Sequence, residues 1–368
     1  MRILIGCMQS GGVTWYLRGI GNAFASIECT DVRYMNLQDP SVAPLDVFAQ
    51  FNPDIYIGYG YSSLFPRALQ KAIKIYKPKT LLYVPAHPKS EAGKIKKNRP
   101  DLIYDVATPQ DIKVIEDNSN FIDSVFIHHH RSCADGYLEG WSVPYCGIGM
   151  ACDIIAYQPG KWRPEYDCDA SMISGYWEYK ARKLKPWVFP LVDRCNLKIW
   201  GNGRFPLINY LGTLPESEVS DVWASTKINL QIHEPQSELG WEVSERTFKV
   251  VGTGNFLISD YVDALGGLYF RDDELLMANT PEEYQEKVIW CINHPETRQI
   301  YINKSQKRVL SDHTYHDRAI EILKILFQEK IEEDPMKQVV GGGIGNLMFK
   351  LGKSKHDILA EKFNQKNI

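Results

Sequence analysis

The sequence predicts an α/β protein made of two parallel-sheet halves that face each other across a cleft. Three observations carry this expectation: a length of 368 residues, short apolar strands alternating with helical stretches, and a restart of that alternation after 156–167, a stretch with two prolines and a glycine. A chain of this length divides naturally into two domains of about 150–180 residues. Strands alternating with helices imply βαβ crossovers and a parallel sheet, whose ligands sit at the carboxyl ends of the strands.

In the first half, 2–6 reads as a buried strand and 13–25 has helical spacing. Further strands are expected at 31–37, 54–59, 80–85 and 123–128, with helical or irregular stretches such as 66–76 between them. In the second half, 170–175 is a strand, 178–189 a helix despite Pro186, and 197–200 a strand ending in the turn Gly201-Asn202-Gly203. A helix follows at 215–225, opened by Pro215 and Glu-Ser-Glu. Then come a strand at 228–233, a helix at 244–251, a strand at 255–260 and long amphipathic helices from 281 to about 328. The predicted organisation is an N-terminal domain at 1–155, a linker at 156–169, a C-terminal domain at 170–330 and a distinct tail at 331–368. The tail carries Gly352-Lys353-Ser354 but Leu347 where a P-loop needs its first glycine. It reads as a hinge followed by a short amphipathic segment that contacts a membrane surface or a partner, or simply packs back.

Composition excludes more than it selects. A net charge of −3 gives no global pull toward nucleic acid or anionic membrane. No run of 18 apolar residues suggests a membrane span, and the opening MRILIGCM lacks the pattern of a signal peptide. The eight cysteines are scattered without a C-x-x-C pair, which argues for free thiols in a reducing compartment and hence a cytoplasmic protein.

The most informative stretch is 228–260, a strand, a polar loop, a helix and another strand. Ser244 stands at an N-cap position, with Glu245, Arg246 and Thr247 in the first turn. A helix N-terminus offers unpaired N–H groups and a positive dipole end, which suits a diphosphate, and Arg246 adds a bidentate charge. The competing reading is a capped helix whose Glu245 and Arg246 are merely solvated.

The run Glu245-Arg246-Thr247-Phe248, the segment Gly254-Asn255-Phe256-Leu257-Ile258-Ser259-Asp260 and the later His313-Thr314-Tyr315-His316-Asp317-Arg318 resemble the C-terminal module of the group-1 glycosyltransferases, specifically the spore-maturation-protein-like family. Pro295-Glu296-Thr297-Arg298 and Tyr210-Leu211-Gly212 before Pro215-Glu216 are similar to that family in order and spacing. The resemblance covers about 171–326. It implies a GT-B fold of two Rossmann-like domains, a nucleotide-sugar donor (UDP- or GDP-linked) held by the C-terminal domain, no obligatory metal or other cofactor, and a preference for retention of anomeric configuration. Without a D-x-D or a ligand cluster, helix dipole and Arg/Lys charge must neutralise the leaving diphosphate. A basic residue of the helix after the first C-terminal strand is expected on the donor phosphates, either Lys180 or Arg182, with Arg182 the choice. Lys249 stands where many related enzymes carry the Glu that binds the donor ribose, and Trp241 and Lys249 stand where an E-x7-E pair would. Glu245 or Glu242 would then serve the ribose, or the donor differs, or the site is degenerate.

In the N-terminal half, Ser10-Gly11-Gly12 after the first strand brings backbone close to a ligand at the domain interface, or forms an ordinary strand-to-helix turn. His87 follows a strand and is the candidate catalytic group, able to hydrogen-bond a sugar hydroxyl or take a proton. His128 and His129 are candidates for the acceptor side, one of the cluster facing the cleft and the rest lying on the surface. His233 should face the donor. His313 and Tyr315 should pack the last helix against the C-terminal domain. The acceptor is left open among a glycan, a lipid-linked sugar, a protein and a modified nucleic-acid base. A basic run from Lys89 to Arg99 reads as a solvated loop before it reads as a nucleic-acid groove. A sugar-nucleotide epimerase and a catalytically inactive nucleotide-sugar-binding or scaffold protein are the competing functions.

Overall fold

The computed structural model describes residues 1–8 and 12–327; Gly11 and the tail at 331–368 lie outside the described residues. The chain begins β1 (Arg2–Cys7), α1 (Gly12–Ala25), β2 (Asp31–Asn36), α2 (Pro44–Phe51), β3 (Ile55–Tyr59) and α3 (Arg67–Tyr76). It continues β4 (Lys79–Tyr83), α4 (Glu91–Asn98), α5 (Pro109–Glu116), β5 (Ser124–Ile127), α6 (Ala134–Leu138) and β6 (Tyr145–Gly147). The six strands pair in parallel in the order β2-β1-β3-β4-β5-β6. β3 and β5 are buried along their whole length, as strands covered by helices on both faces must be. All five strands expected here are present; β6, only three residues long and directly after Pro144, is too short to carry a sequence period.

The second half runs β7 (Cys168–Ile173), α7 (Glu178–Val188), β8 (Leu197–Trp200), α8 (Val219–Ser225), β9 (Thr226–Gln231), α9 (Glu245–Gly252), β10 (Leu257–Asp260) and β11 (Leu276–Ala278). Its sheet is also all parallel, in the order β11-β10-β9-β7-β8. Three helices end the described part of the chain: α10 (Pro281–Ile292), α11 (Pro295–Asp312) and α12 (Tyr315–Phe327).

Although last in sequence, α12 belongs to the first core. Tyr315, Ala319, Ile322, Leu323 and Leu326 are buried with the apolar residues of β1, β3, β4 and β5. The expectation that His313 and Tyr315 both pack against the C-terminal half therefore holds for His313, whereas the Tyr315 ring lies in the first core and its hydroxyl alone reaches Glu245 of the second half. Helical periodicity reports which face of α12 is apolar but not which sheet receives it. Gly19 of α1 makes the docking possible, because a Cβ there would lie 2.2 Å from the Tyr315 ring.

Among the described residues the chain thus crosses between the halves twice, and the crossings are tied side by side. The Cys152 N–H donates to the His313 carbonyl (2.8 Å) and the Tyr315 N–H to the Cys152 carbonyl (3.0 Å). Arg318 grips the first crossing through the carbonyls of Gly149 (2.8 Å) and Met150 (3.3 Å). The same guanidinium donates to His313 Nδ1, so His313 Nε2–H is the proton-bearing nitrogen and donates to the Tyr269 carbonyl at 3.0 Å. Burial and the Arg318 charge lower the His313 pKa to about 3, which keeps the ring neutral. The His-Thr-Tyr-x-x-Arg segment is therefore a crossover lock. Among the described residues no helix is long and apolar enough to cross a membrane.

Candidate functional site

The carboxyl ends of β7, β8 and β9 and the first turn of α9 surround a cavity of about 460 Å3. Ser174 and Gly175 follow β7, Gly201 and Asn202 follow β8, and His233 and Glu234 follow β9. Trp15 of α1 and Met150 of the first crossing close it from the N-terminal side. Gly201, at φ +140°, lets two strand ends approach closely, because a Cβ there would lie 1.9 Å from the Ser174 carbonyl oxygen.

Positive charge converges on this cavity from two helices. Lys180 on α7 is only 5% exposed, 3.7 Å from Glu234 Oε1 and 5.3 Å from the centre of the Trp177 ring. Burial first, and then the like charge of Arg246, lower its pKa to about 8. Arg246, in the first turn of α9, donates to Gln231 Oε1 at 2.9 Å; burial lowers its pKa to about 10, and it remains a cation at neutral pH. Ser244 is the N-cap residue of α9, but its side chain makes no capping hydrogen bond, and it lines the cavity. Glu245 is held by Lys249 one turn on (2.6 Å) and by the Tyr315 hydroxyl from the crossing helix. The Lys249 ammonium lies 4.3 Å from the centre of the Tyr157 ring; burial opposes its charge, but Glu245 and Tyr157 outweigh burial and raise its pKa.

Behind the cavity lies a buried charge relay. His233 Nδ1 sits 2.8 Å from Asp260 Oδ1, and the same oxygen accepts the His233 backbone N–H at 2.9 Å. Lys183 reaches the other oxygen at 2.6 Å and Ser237 Oγ at 2.8 Å. Burial alone would raise the Asp260 pKa, but the His233 ring and the Lys183 ammonium outweigh it and hold the carboxyl well below the ordinary range. With Nδ1–H committed to Asp260, His233 presents Nε2, which has no protein partner, on a residue that lines the cavity.

A second cavity, about 220 Å3, opens on the N-terminal wall between the ends of β4 and β5. Its lining includes Tyr61, Tyr83, Tyr104, Tyr137, His128 and His129. The Tyr83 hydroxyl and His128 Nδ1 are 2.8 Å apart, and the two rings stack at 5.5 Å. Burial lowers the His128 pKa to about 4 and that of His129 well below the ordinary value, so both are neutral at physiological pH. Glu242 lines both cavities and accepts from Gln236 Nε2 at 3.0 Å. It is carried there by a loop whose Trp241 packs on Tyr137 of the N-terminal half, rings 5.3 Å apart. Burial raises the Glu242 pKa to about 7, with Glu234 adding to the rise and Gln236 and Lys180 opposing it.

The structure thus gathers His233, Ser244, Glu245 and Arg246 around one cavity, and His128 and His129 around the other. His130, expected with the rest of the cluster on the surface, is half-buried against Tyr269 (5.3 Å). Three expected residues lie elsewhere. Arg182 is exposed and lines neither cavity, because two residues along a helix turn about 200° and Lys180 already faces inward. His87 is buried against Trp141 (5.3 Å), and its Nδ1 accepts the Lys89 N–H at 3.1 Å; it organises its own turn and touches neither cavity. Thr247 is fully buried beneath the first turn of α9 and does not line the cavity. Gly12 opens α1. The basic run ends on α4 with Lys94, Lys97 and Arg99 exposed, the solvated reading. Among the described residues, no group of three or more His, Cys, Asp or Glu side chains is arranged to hold a metal ion.

Residues 182–324 match the family described as glycosyl transferase-like. Compared by sequence with curated proteins, the chain matches none. Among solved structures it is similar to a sucrose-phosphate synthase from Thermosynechococcus elongatus, with TM-score 0.60 and 11% identity over 89% of this chain and 98% of that one. It is similar to HepE of Anabaena in complex with UDP and glucose, with TM-score 0.57 and 11% identity over 89% and 100%. A glycosyltransferase from Rickettsia africae gives TM-score 0.59 and 11% identity over 89% and 99%. The fold is GT-B: two Rossmann-like domains, each on a parallel sheet.

Proposed function

We propose that the protein is a glycosyltransferase that takes its sugar from a nucleotide-sugar donor, with the diphosphate seated against α9, Lys180 and Arg246. One observation carries this reading: two buried like charges, Lys180 and Arg246, converge on one cavity at the carboxyl ends of a parallel sheet and the uncapped first turn of a helix. Bringing like charges together out of water is costly unless anions join them, and Glu234 and Glu245 on the same cavity offset part of that cost. A diphosphate would supply further negative charge, and helix N–H groups and a guanidinium would supply its hydrogen bonds. The cations replace the charge a metal would bring, so transfer is expected to run in EDTA. His233 Nε2 would form a hydrogen bond with the donor. Glu245, pinned by Lys249 and Tyr315, keeps a carboxylate near the position where related enzymes carry their ribose-binding Glu. The UDP seen with the HepE fold relative makes UDP-sugars the first donors to try.

Retention, the expectation from the resemblance, requires the leaving diphosphate itself to take the acceptor proton. Inversion requires a side-chain base, and Glu242 is positioned to be one. The eight free cysteines suit a reducing compartment such as the cytoplasm. Calorimetry with UDP-glucose and GDP-mannose, with and without EDTA, tests the donor. Micromolar binding that survives EDTA supports the reading. Absence of binding to any nucleotide or nucleotide sugar would leave a scaffold protein of the same fold.

A further inference from the structure

We propose that Glu242 is the general base of the transfer and that the tyrosine-lined cavity beside it receives the acceptor as a neutral pyranose ring. This rests on the donor reading and adds the acceptor's chemistry to it. Glu242 lines both cavities, so it is the carboxylate that a donor in one and an acceptor in the other would share.

The second cavity selects its occupant by charge and shape. Among the described residues no lysine or arginine lines it, while Asp105 and Glu242 do, so a phosphorylated or otherwise anionic group is repelled and hydroxyls are welcomed. Tyr61 and Tyr83 lie 6.2 Å apart with planes at 21°, and Tyr83 and His128 5.5 Å apart with planes at 20°, a run of near-parallel aromatic rings along the cavity. A volume of about 220 Å3 falls below the roughly 300–1,000 Å3 of drug-sized sites and suits a single ring. Tyr137 Oη, His129 Nδ1 and Gln236 Oε1 are buried on this lining without a protein partner. Unmade bonds of this kind are unfavourable, and a polyhydroxylated ring, donor and acceptor at every position, would complete them.

The step balances without a co-reactant. The acceptor hydroxyl gives its proton to the Glu242 carboxylate, and its oxygen forms the new bond to the anomeric carbon. The bond from that carbon to the diphosphate oxygen breaks, and the electron pair leaves with the diphosphate beside Lys180 and Arg246. A single displacement of this kind, with attack opposite the departing diphosphate, inverts the product anomer.

The groups facing Glu242 give the pH profile its form. Glu234 and Lys180 flank it, Tyr83, Tyr137 and Tyr179 feel its charge, and all three phenols are raised in pKa, chiefly by burial. Across the cavity, His128 and His129 are already neutral. Glu242 therefore sets the acidic limb, active above about pH 7, and Lys180 the alkaline one near 8.

The test uses the full chain with UDP-glucose and GDP-mannose as donors and methyl glucoside, galactoside and mannoside as acceptors. Calorimetry reads donor binding, mass spectrometry reads transfer and NMR reads the anomer. Glu242→Gln should bind donor within about threefold of wild type, lose transfer about 100-fold or more, and lose the acidic limb. Glu242→Asp should recover part of the rate. Gln236→Leu, which removes a bond that lowers the Glu242 pKa, should move the limb to higher pH, a shift that a purely structural role would not produce. Wild-type transfer by Glu242→Gln, an unmoved limb, or a retained anomer would overturn the base. Refusal of every methyl pyranoside together with transfer to duplex DNA or a phosphorylated acceptor would overturn the acceptor class. Failure of the wild type to bind either donor is read separately and removes the donor reading itself.

Discussion

The two walls of the cleft use the same architecture for opposite chemistry. Each presents the carboxyl ends of a parallel sheet, yet the C-terminal wall carries Lys180, Arg246 and Lys249 with Glu234 and Glu245, and the N-terminal wall carries tyrosines, two neutral histidines and Asp105. The fold fixes where a ligand sits, and the loop residues fix what it is. A wall of buried cations and carboxylates suits a charged ligand. A wall of rings whose imidazoles stay neutral suits a ligand that must be held without being ionised.

The contrast is most easily broken at Asp260, which has no counterpart on the N-terminal wall. It is 1% exposed and compensates Lys183 while orienting His233. Asp260→Asn should destabilise the fold by about 3 kcal/mol, because the Lys183 ammonium is left without its partner. The sign follows from linkage: a carboxyl depressed in the folded state contributes stability above its ordinary pKa, and that contribution is lost as pH falls toward the folded value. Denaturant melts from pH 7 down to about 3 should show the wild-type advantage shrinking below about pH 4. An advantage that stays constant with pH would mean that the charge is not what Asp260 supplies.

Arg246→Ala tests the same wall through its ligand. Losing a charge-assisted hydrogen bond of about 2 kcal/mol should weaken UDP-glucose binding roughly 30-fold and leave acceptor KM unchanged. On the other wall, His128→Ala removes an imidazole that lines the acceptor cavity and orients the Tyr83 hydroxyl, at a cost to the acceptor of about one neutral hydrogen bond, ~1 kcal/mol. Acceptor KM should rise about fivefold with donor Kd unchanged. If each variant changed both constants equally, the walls would not be chemically separate, and steady-state kinetics beside calorimetry decides this.

The sequence was most legible where a side chain's role follows from its place on an element. Strand-to-helix alternation located both sheets, and the Glu-Arg-Thr-Phe run located α9 and Arg246. The His-Thr-Tyr-x-x-Arg run was visible as a motif, but its work as a crossover lock needs Gly149 and Met150, some 168 residues away in the chain. The N-terminal cavity was nearly invisible, because Tyr61, Tyr83, Tyr104 and Tyr137 come from four separate segments and each reads as an ordinary core residue. Glu242 was visible only as a possible ribose ligand, since neither its raised pKa nor its place between two cavities exists until the halves close. His87 misled for the converse reason: a histidine after a strand faces the cleft by default, and here Trp141 and the Lys89 N–H claim it first.

The smallest expected effect tests the phase of one helix. Lys180 and Arg182 lie on α7, and the sequence alone favoured Arg182 for the donor phosphates. The structure turns Lys180 toward Glu234 and Arg246 and leaves Arg182 in solvent, where its charge acts on Asp101 of the N-terminal half. Exposed pairs of that kind are screened by salt and contribute little. Arg182→Ala should therefore change donor Kd by less than about twofold, while Lys180→Ala weakens it about tenfold and removes the alkaline limb near pH 8. A reversed order would mean that α7 presents its other face to the donor when the cleft is occupied, and that the charged wall is completed by the ligand.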